Sequence, residues 1–246
     1  MREMAAVILA AGKGTRMKSE LPKVLHRIEN KYLIDYVIAA ARDAGIVDDC
    51  IVVGYHADEV RAALGPGFRY ALQEQQLGTG HAVKQALDGC PDLPETLMIL
   101  CGDTPLFTGA TLREFRRCFE ASGAACVVLT AQIAEPGSYG RIIRGEHDEV
   151  LAIVEARDAT PEQLAVREIN SGAYCFDTQA LRAVIDDIRA ANAQSEYYLT
   201  DAVAALRARG YRVGAWCCPD AQEIEGVNDA EALREAAAII RRRRSR

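Results

Sequence analysis

Between residues 10 and 23 the chain reads Ala-Ala-Gly-Lys-Gly-Thr-Arg-Met-Lys-Ser-Glu-Leu-Pro-Lys, placing two glycines and four cations just after a short apolar run. Glycines at 12 and 14 allow a tight turn whose backbone N–H groups converge on one concavity, the kind of site that holds a triphosphate. Lys13, Arg16, Lys18 and Lys23 would add positive charge to it. Neither common phosphate-loop pattern fits. In G-x-G-x-x-G the third glycine position is Met17, and in G-x-x-x-x-G-K-[ST], which Gly12, Lys18 and Ser19 satisfy, Met17 again stands where glycine is required. On this segment alone a purely structural turn stays open. Pro22 adds to the functional reading, because it fixes the backbone ahead of Lys23 while Val24 and Leu25 offer apolar anchors.

Three further polar residues sit where chemistry could be placed. Asp103 follows an apolar run in Cys-Gly-Asp-Thr-Pro, so its carboxylate would emerge at the carboxyl edge of a parallel sheet, where α/β folds gather ligands. Its alternative is ordinary turn chemistry before Thr-Pro. Asn228 has Glu231 three residues on, which suits a helix N-cap. Glu155 ends the run Val-Leu-Ala-Ile-Val and could equally face solvent. His26, His56, His81 and His147 are scattered without a Ser or Cys partner for a nucleophilic triad, and read as surface or packing histidines. The eight cysteines show neither a C-x-x-C pair nor zinc spacing. They read as small thiols of a reducing, cytoplasmic compartment, with adjacent Cys217 and Cys218 at the core and edge of a strand.

The elements that must position these residues alternate between β and α periodicity. Strands are expected over 5–10, 50–55, 69–73, 96–103 and 124–133. Helices are expected over Tyr32–Ala44, Ala57–Leu64 and Gly80–Leu87, closed by Gly45, Gly65 and Gly89. That rhythm predicts an α/β fold with a mostly parallel central sheet. After about residue 135 the strand-like runs 139–144, 149–156 and 168–176 have little helix between them, which predicts a mixed-sheet insertion for a second substrate. Thr160-Pro-Glu-Gln is a capping box that should open a short helix, and an alanine-rich helix should start near Asp229. Half of the 246 residues are apolar, and 29 basic against 35 acidic residues leave a net charge of −6. This argues against a general nucleic-acid surface and leaves anion binding to local clusters: the opening loop, and the basic end at Arg241 to Arg244 and Arg246. The apolar run Met4–Ala11 is too short to cross a membrane. It reads as a buried first strand rather than a signal-peptide core.

The segment from Leu9 to Leu25, L-A-A-G-K-G-T-R-M-K-S-E-L-P-K-V-L, resembles the signature of the sugar-nucleotidyltransferase superfamily, L-x-x-G-x-G-T-R-M followed by P-K. Later segments, QLGTGHA, LCGDTPL, SYGRI, VEARDAT, EINSGAY, AQSEYYLTD and EIEGVND, are similar in the same order to the uridyltransferase domains of the N-acetylglucosamine-1-phosphate uridyltransferase family. The resemblance covers residues 5 to about 240. It implies a Rossmann-like nucleotidyltransferase fold with a sugar-binding insertion. The implied activity is transfer of UMP from UTP to N-acetylglucosamine 1-phosphate, giving UDP-N-acetylglucosamine and pyrophosphate for bacterial cell-wall precursor synthesis.

The same resemblance implies roles residue by residue. Arg16 and Lys23 would be catalytic, Arg16 meeting the β/γ-phosphates and Lys23 the α-phosphate. Asp103 and Asn228 would be the protein ligands of one Mg²⁺. Ala10, Ala11, Gly12, Gly14, Thr15, Gln73, Gly78 and Thr79 would bind the nucleotide, with Gln73, Gly78 and Thr79 at the uracil. Gly140, Glu155, Asn170, Tyr198 and Thr200 would bind the sugar. Residues 1–228 would form the nucleotidyltransferase domain, with a nucleotide-binding part to about 135 and a sugar-binding part over 136–228, followed by a linker helix over 229–246. Expected partners are the two substrates, with no nucleic acid, membrane or obligate protein partner. Two departures stand out: Cys101 where the family has tyrosine, and Arg157 where it commonly has lysine. No hexapeptide repeat of the family's acetylating β-helix occurs before Arg246, leaving a single-function enzyme and a fragment both open. A different nucleotide or sugar 1-phosphate, or a non-catalytic nucleotide-sugar sensor, also stays open.

Overall fold

The computed structural model describes residues 3–244; Arg246 of the basic end, and residues 245–246 of the expected terminal helix, lie outside the described residues. Strand β1 (Met4–Ala10) is an interior strand of a nine-stranded sheet. It pairs in parallel with β4 (Asp48–Val53) and β6 (Thr96–Cys101), and β5 (Arg69–Leu72) extends the sheet beyond β4. The short β2 (Arg27–Ile28) and β3 (Lys31–Tyr32) form a separate antiparallel pair. Helices α1 (Leu33–Asp43), α2 (Ala57–Leu64), α3 (Thr79–Gly89) and α4 (Gly109–Ser122) are the crossovers, so both faces of the sheet are covered. Alternate residues of β1 serve the two faces: Ala5 and Val7 join one core with α3, while Met4, Ala6 and Ile8 join another with α1 and α4. Burial on both sides is why the strands read as unbroken apolar runs.

Beyond β7 (Cys126–Gln132) the chain makes β8 (Arg141–Arg144), β9 (Val150–Val154), the capped helix α5 (Pro161–Leu164) and β10 (Glu168–Asp177). β10 runs antiparallel to β6, β7 and β8, and β8 pairs antiparallel with β9, so the mixed-pairing region is continuous with the main sheet. Between Asn170 and Tyr174 its register against β7 shifts in a bulge, with Gly172 at φ +81°. α6 (Thr178–Val184), α7 (Asp201–Ala208), β11 (Val213–Cys217) and α8 (Ala230–Arg244) complete the chain, β11 lying parallel beside β7.

Several boundaries differ from the sequence expectation for identifiable reasons. Gly45 and Gly65 end their helices in the left-handed region at φ +82° and +79°. Gly89 does not; it is the last residue of α3, and Cys90 follows as the cap. β5 stops at Leu72 and β6 at Cys101, so Gln73, whose N–H still donates to the Val53 carbonyl at 2.8 Å, and Asp103 lie just past the strand ends. Of the adjacent cysteines, Cys217 is exposed and Cys218 buried, and all eight cysteines are free. Among the described residues no helix is long and apolar enough to cross a membrane.

Candidate active site

The chain leaving β1 turns through Gly12 and Gly14 along a cleft of about 780 Å³. Ala10, Ala11, Gly12, Gly14 and Thr15 line one side, with Gln73, Gly78 and Thr79 among the other lining residues. Gly14 has φ +61°, and a Cβ there would stand 2.7 Å from the Cβ of Lys23, so glycine is what lets the loop lie against Lys23. At Gly12 no protein atom comes within 4 Å of the equivalent position. The space it leaves belongs to the cleft.

Arg16, Lys23, Asp103 and Asn228 line the same cleft and touch one another. Oδ1 of Asn228 accepts hydrogen bonds from Nζ of Lys23 at 2.6 Å and Nη2 of Arg16 at 2.8 Å, and Lys23 also pairs with the Asp103 carboxylate. The Val227 N–H donates to the Asp103 carbonyl at 2.8 Å, which clips together two segments far apart in sequence. The alternatives read from sequence resolve differently for each residue. Asn228 is not the cap of α8; Asp229 is, accepting from the N–H groups of Glu231 at 3.0 Å and Ala232 at 2.9 Å. At Asp103 the turn bond is supplied by Thr104, whose hydroxyl donates to the Cys101 carbonyl at 2.7 Å, leaving the Asp103 carboxylate to the cleft.

In this cluster the Lys23 ammonium is shared between a carboxylate and an amide oxygen. Both are hard oxygen donors of the kind Mg²⁺ takes. Among the described residues no group of three or more His, Cys, Asp or Glu side chains could hold a metal. An ion here would therefore draw its remaining ligands from substrate oxygens and water.

A second cavity of about 220 Å³ adjoins the first, with Leu9, Thr79 and Cys101 lining both. Gly140, Glu155, Asn170 and Thr200 line it, and Gly140 presses close to the Glu155 carboxylate, 3.3 Å from where a Cβ would be. Burial holds Glu155 above the usual carboxylate range; Thr200 opposes this, while Asp158, Asp201 and Glu196 add to it. Thr200 Oγ1 is buried, and its influence on Glu155 falls short of a hydrogen bond of normal geometry. Asn170 is engaged internally: its Oδ1 accepts from the Gly172 N–H at 3.0 Å and its Nδ2 donates to the Tyr174 hydroxyl at 2.7 Å, so its side chain braces the bulge. Tyr198 lines neither cavity. It is buried behind the wall, its hydroxyl accepting from Gln194 Nε2 at 2.8 Å.

Other residues complete the site. Cys101 sits between the cavities, its thiol pushed up to about 12 by burial and by Asp103, with Lys23 opposing, so it is neutral, and its S–H donates to the Gly172 carbonyl at 3.7 Å. The 196–199 segment is laid on the Gly78-Thr79-Gly80 turn: Gly80 N donates to the Tyr197 carbonyl at 2.7 Å, and Leu199 N donates to Thr79 Oγ1 at 3.0 Å. His81 lines neither cavity but lies 3.0 Å from Gln73 Nε2.

Comparison with known proteins places the chain among sequence relatives. Residues 6–193 match the model of the MobA-like NTP transferase domain. The chain is 50% identical over 243 residues to the bifunctional protein GlmU of Heliobacterium modesticaldum, covering 99% of this chain and 53% of that protein. It is 49% identical over 241 residues to the bifunctional protein GlmU of Trichlorobacter lovleyi, covering 97% and 52%. The chain thus spans about half the length of these relatives. In fold it is similar to a putative glucose-1-phosphate thymidylyltransferase from Bacillus anthracis, with TM-score 0.78, 20% identity, and 97% and 95% of the two chains covered.

Proposed function

The chain belongs to the MobA-like NTP transferase domain family, and from that premise we propose that it transfers UMP from UTP to N-acetylglucosamine 1-phosphate, releasing pyrophosphate. The observation that carries this reading is the convergence of Arg16, Lys23, Asp103 and Asn228 on one cleft beside the glycine turn, with a second polar cavity opening off it. The sugar-phosphate oxygen attacks the α-phosphorus in line. A phosphate monoester has a second pKa of about 6 and is already largely dianionic at neutral pH, so no general base is needed. What the protein must overcome is repulsion between two polyanions and charge growing on the leaving pyrophosphate. Arg16 is assigned to the β/γ-phosphates and Lys23 to the α-phosphate, with the N–H groups of the Gly12–Gly14 turn as fixed dipoles. Asp103 and Asn228 would hold Mg²⁺, which supplies Lewis-acid neutralisation of phosphate charge when bound. For Lys23 this means exchanging its present oxygen partners for phosphate.

Ala10, Ala11 and Gly12, with Gln73, Gly78 and Thr79, are assigned to the nucleotide. Gly140, Glu155, Asn170 and Thr200 are assigned to the sugar, Thr200 and Glu155 by direct contact and Asn170 through the bulge it braces. Tyr198 shapes the wall. The test is pyrophosphate release from UTP, N-acetylglucosamine 1-phosphate and Mg²⁺, with glucose 1-phosphate, CTP, GTP and dTTP in parallel. Release with the first set well above every substitute is expected, and no release at ample protein refutes the proposal.

A further inference from the structure

One amide in the cleft has its orientation fixed from both sides. Gln73 is 3% exposed, and its Nε2 lies 3.0 Å from the carbonyl oxygen of Gly78 and 3.0 Å from Nδ1 of His81. A backbone carbonyl only accepts, so the end of the Gln73 amide facing Gly78 must be the NH₂. That NH₂ has two hydrogens, and the second points at His81. Nδ1 of His81 must then be bare and the ring neutral, with its proton on Nε2. The Nε2 end of the Gln85 amide, one helical turn on, lies 3.4 Å from that Nε2; a proton on His81 Nε2 therefore requires the Gln85 amide to be turned so that its oxygen accepts. The Gly78 carbonyl is itself held in place, because Gly78 is at φ +112° and packed so closely on Tyr197 that a Cβ would meet the Tyr197 carbonyl at 2.6 Å.

With both NH₂ hydrogens taken, Gln73 has only its carbonyl oxygen left. Among the described residues nothing donates to that oxygen, and Gln73 lines the cleft. The residue therefore presents an acceptor and no donor. Uracil carries a hydrogen on its ring N3, whereas cytosine carries a lone pair there, and a site whose buried acceptor is left facing a lone pair discriminates strongly.

We propose that His81, as the neutral tautomer protonated on Nε2, is a positioning residue that with Gly78 locks Gln73 carbonyl-first toward the nucleotide and thereby sets the preference for uridine over cytidine triphosphate. This rests on the uridyltransferase reading for its ligand, but the lock itself is a property of the resting protein and is tested separately. In uniformly ¹⁵N-labelled protein, above the titration range of histidine, His81 Nδ1 should show the chemical shift of an unprotonated nitrogen and a through-hydrogen-bond coupling to Gln73 Nε2. A protonated Nδ1, or an uncoupled pair, overturns the proposal whatever the substrate proves to be.

The kinetic arm compares kcat and KM for UTP and CTP in the native protein, His81→Leu and His81→Asn. Loss of one orienting hydrogen bond should lower the UTP-over-CTP ratio of kcat/KM by about tenfold in His81→Leu. The loss should come through KM for UTP, with kcat and KM for the sugar phosphate held. His81→Asn, which can offer an oxygen at the Nδ1 position, should restore most of it. An unchanged ratio in His81→Leu overturns the specificity role even if the coupling is present. A native protein with no preference for UTP would instead refute the uridyltransferase reading, and the coupling measurement would still decide the lock.

Discussion

Gly14 and Lys23 show how single residues set this site. A side chain at position 14 would have to adopt φ +61° and displace Lys23 as well. Gly14→Ala should therefore cost about 1 to 2 kcal/mol of stability from the left-handed conformation. Its larger effect should be on kcat, read as pyrophosphate release, because Lys23 is pushed off its position; a variant that loses stability but keeps kcat would separate the glycine from the chemistry. Asn228 illustrates what residue types cannot reveal. Asparagine followed by Asp229 gives two candidate caps for one helix, and only three-dimensional proximity to Lys23 and Arg16 draws the first away and leaves the second to cap. Tyr198 is the opposite case: adjacent tyrosines at 197 and 198 look alike in sequence, yet 198 is buried behind the wall while 197 is exposed. His81 read from sequence as a surface or packing histidine, since its contact depends on a fold that brings the first turn of α3 back onto Gln73.

Among the elements, α8 does more than end the chain. Ala236, Ile239 and Ile240 share an apolar cluster with Met17, Ile28, Leu33, Leu106 and Val227. Met17 is next to Arg16 and Val227 next to Asn228, so this cluster supports two residues of the cleft from behind. It also explains why the glycine of the common phosphate loops is replaced: the position is buried and needs a side chain. Met17→Ala and Ile239→Ala should each cost about 2 to 5 kcal/mol. A double-mutant cycle on kcat should be non-additive, and additive effects would mean that α8 does not support the loop. A second element-level expectation concerns β4 against α1. Burial raises the Asp49 carboxyl to about 6 from a model-compound value of 3.8, the nearby Arg42 only partly opposing, and both its oxygens lack hydrogen-bond partners. The folded state thus takes up this proton before the unfolded chain does, so stability should rise as pH falls from about 7 to about 4, by on the order of 2 to 3 kcal/mol. Denaturation of Asp49→Asn across that range should lack this slope; an unchanged slope would assign it to other groups. Sequence periodicity found the parallel half of the sheet because strands buried on both faces are unbroken apolar runs. α4 went unread although Thr108, which accepts from the Thr111 N–H, and Gly123, at φ +61°, mark its ends. The antiparallel placement of β10 was out of reach, since strand direction follows from how the chain returns, not from local composition.

At the scale of the whole molecule, three arginines of the described basic end, Arg241, Arg243 and Arg244, are engaged with the body of the protein. Arg244 and Arg241 pair with Glu29, and Arg243 donates to the Leu106 carbonyl and pairs with Asp220, so these charges hold α8 on the body of the protein. The organising feature is instead the pair of adjoining cavities, one reached by Arg16, Lys23, Asp103 and Asn228 and the other by Glu155 and Thr200, meeting at Leu9, Thr79 and Cys101. The central claim is that Asp103 and Asn228, distant in sequence, together hold the metal on which nucleotidyl transfer depends. The measurement that addresses it most directly is pyrophosphate release from UTP and N-acetylglucosamine 1-phosphate, titrated with Mg²⁺, in the native protein, Asp103→Ala and Asn228→Ala. Both variants should lose about 100-fold or more in kcat/KM and require higher Mg²⁺ for what activity is left. Native kinetics with an unchanged Mg²⁺ requirement in either variant would contradict the account.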